Sequence, residues 1–138
     1  MKTKTLIFIT ITALTLVSLV GCTLFTPGPL EVSEITVCQD VDIDYKPVGA
    51  TDTFSLGTQI VYVSVKVDNI TPDDKLTTRW NYLETNEEIE VTDFIPDDTG
   101  SGYVGFSLTI DEGFPAGRYN AIVFLNNELI ETVGFLVE

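Results

Sequence analysis

The side chains in this sequence that could do chemistry are nearly all carboxylates. Asp40-x-Asp42-x-Asp44 sets three acids on one side of an extended segment, while Asp73-Asp74 and Asp97-Asp98 fall in turn sequences. Calcium takes about six to eight oxygens from carboxylates and carbonyls gathered in this way, so it is the one cofactor these groups would suit. The first group departs from the helix–loop–helix calcium pattern, because Tyr45 stands where that loop needs Gly and Thr51 where it needs Glu. Asp also collects in turns for local backbone reasons, and solvated turns are the plain alternative for all three groups. A pair of carboxylates could equally equip a glycoside hydrolase. Short turns around a small body leave little room for a substrate cleft, however, and the expectation is a protein that is not an enzyme.

Other chemistry is excluded by composition. The chain has no histidine, so no Ser–His or Cys–His nucleophile pair can be built and the commonest zinc ligand is missing. Its formal charge is -14, which repels nucleic-acid phosphates and anionic lipid, and no nucleic-acid partner is expected. Cys38 lies in an alternating apolar segment with no basic neighbour to stabilise a thiolate, which points to a buried, inert thiol. Asn69-Ile70-Thr71 is a formal glycosylation sequon weakened by Pro72.

Residues 1–21 read as a leader. Lys2 and Lys4 make a basic start, an uncharged apolar run follows from Thr5 to Val20, and Gly21 precedes Cys22. The apolar stretch is shorter than the roughly 20 residues that cross a bilayer as a helix. The order Leu19-Val20-Gly21-Cys22 resembles the lipobox of prokaryotic lipoproteins. That resemblance implies a helical signal peptide, export, cleavage between Gly21 and Cys22, and a diacylglyceryl thioether on the Cys22 sulfur. The membrane would then be reached through lipid on Cys22, at the outer face of the cytoplasmic membrane or at the outer membrane. Two or three acyl chains suffice for stable anchoring at about 0.8 kcal/mol per buried CH₂. Without Lys2 and Lys4, five cations face 21 acids, a balance of -16. Residues 22–30 form a short tether in which Pro27, Gly28 and Pro29 oppose helix and favour an extended chain.

From Glu31 to Glu138 the periodicity is that of strands. Ile35 and Val37 begin it, Val61, Val63, Val65 and Val67 line one face of the clearest segment, and Leu76, Thr78, Trp80 and Tyr82 share another. A short segment around Ile89 and Val91 and a longer one carrying Val104, Phe106, Leu108 and Ile110 follow. The last hairpin turns at Asn126-Asn127, a pair that tolerates positive φ, between Tyr119–Leu125 and Leu129–Val137. About seven strands with regular turn signals predict an all-β, two-sheet antiparallel sandwich.

Three points resemble an immunoglobulin-like domain. Trp80 lies 15 positions after Val65, about the spacing of the first core Cys and the core Trp in such domains. Ala116-Gly117-Arg118-Tyr119 looks like the tyrosine corner, and Ala121 follows Tyr119 by two positions, where antibody-type domains place the second Cys. With Val65 and Ala121 at the Cys positions, this would be a disulfide-free member. The Pro-x-Gly-x-Tyr sequence before a closing hairpin is also similar to small modules of prokaryotic surface proteins. The resemblance implies a lipid-anchored module that binds another protein or a cell-envelope component.

Overall fold

The computed structural model describes residues 28–138; the leader, Cys22 and most of the tether lie outside the described residues. Among the described residues nine strands form: β1 (Glu31–Val41), β2 (Pro47–Ala50), β3 (Thr53–Phe54), β4 (Ile60–Ile70), β5 (Leu76–Tyr82), β6 (Glu87–Phe94), β7 (Gly100–Thr109), β8 (Gly117–Leu125) and β9 (Glu128–Val137). They make a four-stranded sheet in the order β2-β1-β4-β7 and a five-stranded sheet in the order β3-β9-β8-β5-β6. Among the described residues the chain is all-β, in two layers, as expected from the periodicity.

Two short strands add to the seven expected: β2, where Pro47 and Gly49 read as loop or edge, and β3, which has no signal in the sequence. β2 returns along β1, and β3 then crosses to the other sheet, where it runs parallel to β9. That parallel pair is the exception to the antiparallel pattern. The Leu136 amide donates to the Asp52 carbonyl at 2.8 Å and the Glu138 amide to that of Phe54 at 3.0 Å. With two residues β3 is too short to show any period, although Phe54 is buried.

The core lies between the sheets. Val61, Val63, Val65 and Val67 of β4 are buried and face Leu76 and Trp80 of β5 and Ala121 and Val123 of β8. Trp80 pairs in register with Ala121, whose small side chain leaves space for the indole. Phe135 sits at the centre of an aromatic group, 5.5 Å from Phe54, 6.3 Å from Trp80 and 5.0 Å from Tyr119 between ring centroids.

Two departures from strict alternation have local causes. In β6 a bulge shifts the register, so that Trp80 opposes Glu90 while Asn81 opposes Glu88. Ile89 is thereby turned to the core while Val91 is 44% exposed. In β4, Ser64 alternates with valines and should face water, yet it is buried. The β1–β2 hairpin folds across the outside of the sheet here. Its Tyr45 carbonyl accepts the Ser64 hydroxyl at 2.6 Å, and its ring lies on Gly105, where a Cβ would stand 2.7 Å from Tyr45 Cδ1.

The strands define two poles. Glu31 pairs with Asp68, so β1 begins where β4 ends, beside the 71–75, 95–99 and 126–127 turns. Asn69 Nδ2 donates to the Pro29 carbonyl at 3.0 Å and holds the incoming chain at this N-terminal pole. The 55–59, 83–86 and 110–116 connections form the far pole.

Candidate functional site

Val65, Trp80 and Ala121 are fully buried and Tyr119 is 2% exposed. The Tyr119 hydroxyl donates to the Pro115 carbonyl at 2.6 Å, and burial, with a smaller contribution from Tyr82, pushes it up to about 12. Tyr82 stacks on Tyr119 with centroids 4.7 Å apart and donates its own hydroxyl to the Ala116 carbonyl at 2.7 Å. Two tyrosines thus clamp successive carbonyls at one corner. The second clamp was not read from the sequence, where Tyr82 only shared a face with Trp80. Cys38 is fully buried beneath the β1–β2 hairpin, with its sulfur 3.8 Å from the Tyr62 carbonyl. Burial pushes the thiol up, as suits a structural rather than a reactive group.

The acidic residues are divided between two places. Asp40, Asp42 and Asp44 lie on the β1–β2 hairpin, whereas Asp73, Asp74, Asp97 and Asp98 lie in turns at the N-terminal pole. Three of the seven have local duties. Asp42 Oδ1 accepts the amides of Asp44 and Lys46, at 2.8 and 2.9 Å, and Asp40 Oδ1 accepts the Val41 amide at 2.8 Å. Asp74 accepts the Thr71 amide on one oxygen and Asn126 Nδ2 on the other, both at 2.9 Å. The Asn126 amide, and next the Thr71 amide, hold its carboxyl below the usual range. Asp97 and Asp98 are exposed. Among the described residues no three metal-ligating side chains converge.

A different surface is built on the outside of the five-stranded sheet. The registers place Val91, Arg79, Ile122 and Thr132 in one row across β6, β5, β8 and β9. Asp93, Thr77, Phe124 and Leu129 form the next. The Arg79 guanidinium carbon lies 5.1 Å from the Phe124 ring centroid, and its Nε is 3.4 Å from Glu88. Thr77 donates to Asp93 at 2.7 Å and Asn81 to Asn120 at 2.9 Å, which pins the polar members of the face. Leu129 is 61% exposed beside them. Toward the far pole the face dips into an open groove of ≈ 430 Å³ over Gly134, bordered by Thr53, Arg118 and Leu136. Arg118 is paired there with Glu84 at 2.9 Å. Sequence reasoning passed over this face. Its signal was β8, where Ile122 and Phe124 are apolar on the side opposite Ala121 and Val123.

No protein-family model matches the chain, and neither does any curated protein. Among solved structures, it superposes on an immunoglobulin-like protein from Pseudomonas aeruginosa with a TM-score of 0.54 at 12% identity, covering 82% of this chain and 99% of that one. The fold is immunoglobulin-like. A second overlap is with part of the Pseudomonas fluorescens alkylpurine DNA glycosylase AlkC, with a TM-score of 0.49 at 13% identity. It covers 79% of this chain and 30% of the glycosylase, and a likeness at that level bears on neither activity nor ligand. The immunoglobulin-like arrangement accounts for the buried tryptophan on β5 and the tyrosine at the start of β8 as parts of the scaffold.

Proposed function

We propose that this protein is a lipid-anchored, extracytoplasmic binding module that is not an enzyme and that engages a protein partner. The observation that carries the reading is the outer face of the five-stranded sheet. It is apolar along Val91, Ile122, Phe124 and Leu129 and centred on an arginine already seated on an aromatic ring. A broad surface of this kind suits a protein, whereas a small substrate calls for a concave, enclosing site. Arginine and aromatic side chains are the groups that dominate binding energy at such surfaces. The anchoring half of the reading rests on the basic start, the apolar run and Leu19-Val20-Gly21-Cys22.

The two halves are tested separately. Fractionation of cells should find the protein in membranes, and Cys22→Ser should release it or leave the leader uncut. Mass spectrometry showing an unmodified Cys22 behind an intact leader would sink the anchor. For the binding half, a photo-crosslinker at Leu129 or Thr132 should trap one discrete adduct in the envelope, and Arg79→Glu should abolish it. No adduct, or one indifferent to Arg79, rejects the face.

A further inference from the structure

The four outermost strands of the two sheets are protected very unequally. β6 carries Glu87, Glu88, Glu90 and Asp93, and charges of this kind keep a strand edge from recruiting another chain. β2 has four residues and begins with Pro47; β3 has two. β9, where it extends past β3, carries Glu128 and Glu131. β7 is different. Its ten residues, Gly100 to Thr109, contain no charge and no proline, in a chain whose balance is -14. Pairing with β4 is continuous from Thr109 to Gly102, with a register shift only beyond it, so no bulge interrupts this stretch of the edge. Among the described residues no strand pairs with its other side.

The surroundings of this edge are open and shaped. A Cβ on Gly100 or Gly102 would meet nothing within 4 Å. Two apolar hollows flank the strand. One, of ≈ 170 Å³, is lined by Tyr45, Phe94, Tyr103 and Val104; the other, of ≈ 180 Å³, includes Ile70, Phe94 and Pro96. Backbone pairing supplies affinity when an extended peptide adds to a sheet, and hollows of this sort select its alternate side chains.

Charge decides the occupant. Asp97-Asp98 precede β7 and Asp111-Glu112 follow it, all exposed. A second copy pairing antiparallel about the strand centre would set Asp98 against Asp111 and Asp97 against Glu112, like against like at both ends. A strand with an uncharged middle and basic ends meets the same edge with attraction at each end. We propose that β7 is an attachment edge for an extended polypeptide segment of another protein, roughly 33 Å long, uncharged along its middle and carrying Lys or Arg at both ends. The inference rests on reading the protein as a binding module, but it uses the opposite sheet from the face proposed above.

The probe is a synthetic peptide of alternating Val and Thr flanked at each end by two lysines, added to the full-length protein in detergent and followed by hydrogen exchange. Binding should slow exchange of alternate amides between Gly102 and Thr109 and leave β6 and β9 unchanged. A peptide with glutamates in place of the lysines should bind at least roughly tenfold more weakly. The quadruple variant Asp97→Lys, Asp98→Lys, Asp111→Lys, Glu112→Lys, confined to loops, should reverse that preference. N-methylation of alternate peptide amides should abolish binding. Protection elsewhere, indifference to end charge, or no binding would overturn the proposal. So would a concentration-dependent dimer with β7 protected, which would make a second copy the occupant. Crosslinking at Leu129 is scored on the other sheet, so either result can fail without the other.

Discussion

Tyr119 and Tyr82 hold the same corner from two directions, and the chemistry of each makes the corner measurable. Removing the hydroxyl with Tyr119→Phe should cost about 1 kcal/mol, the net worth of one buried hydrogen bond. The same hydroxyl is acidic only at about 12 in the folded state, above its usual 10.0. Its contribution to stability is therefore present in full below pH 10 and lost as pH rises through about 12. Thermal melts should show that alkaline decline in the native protein and a weaker one in Tyr119→Phe. Asp74 behaves with the opposite sign. Its carboxyl is held below the ordinary value, so the stability it adds is present above that value and lost as acid titrates the folded form. Asp74→Asn should flatten the acid limb of a melting-temperature curve. Thr78 is fully buried on the face it shares with Trp80, and its hydroxyl has no protein partner. Thr78→Val keeps the shape and removes the stranded polar group, so calorimetry should find stability unchanged or raised. Trp80 and Tyr119 could be singled out from residue type and spacing alone. The partnership of Tyr82 could not, because it depends on a contact between strands 34 positions apart in sequence.

At the scale of elements, the long strands were legible because β-branched residues alternate over many positions with one face buried. Where a strand was short or bent, period failed. β3 has two residues, and the bulge in β6 moves Ile89 and Val91 to opposite sides in a way that no count of residues reveals. The β1–β2 hairpin is the clearest case. Its Asp-rich loop shows no period, and the folded chain uses it as a cover for Ser64 and Cys38, fastened by the Tyr45 carbonyl and by the Tyr45 ring on Gly105. Weakening that fastening should expose the thiol. In a Cys22→Ser background, Ser64→Ala should raise the rate at which a thiol reagent modifies Cys38 under native conditions. If the rate does not change, the cover does not depend on this bond. Gly105→Ala is the stronger test, since the added methyl would occupy the space of the Tyr45 ring.

For the molecule as a whole, composition and the alternating pattern were enough for the class of fold, and the absence of histidine removed whole families of chemistry. What they did not reveal was which surfaces are left open. That depends on strand order: the apolar side of β8 is an outer face only because β5 and β9 flank it, and β7 is an edge only because, among the described residues, no strand follows it in its sheet. Strand order also fixes where the two ends of the domain leave it. Pro29 is bonded at one pole, while Val137, paired with Gly117 and Phe54, finishes at the other. Tension applied between those points runs along the strands, so the β1–β4 ladder and the parallel β3–β9 pair are loaded in shear, all their bonds together rather than one at a time. A body held at one pole and pulled from the other should consequently resist stretching and give way abruptly, at a point governed by the rate of unfolding rather than by equilibrium stability.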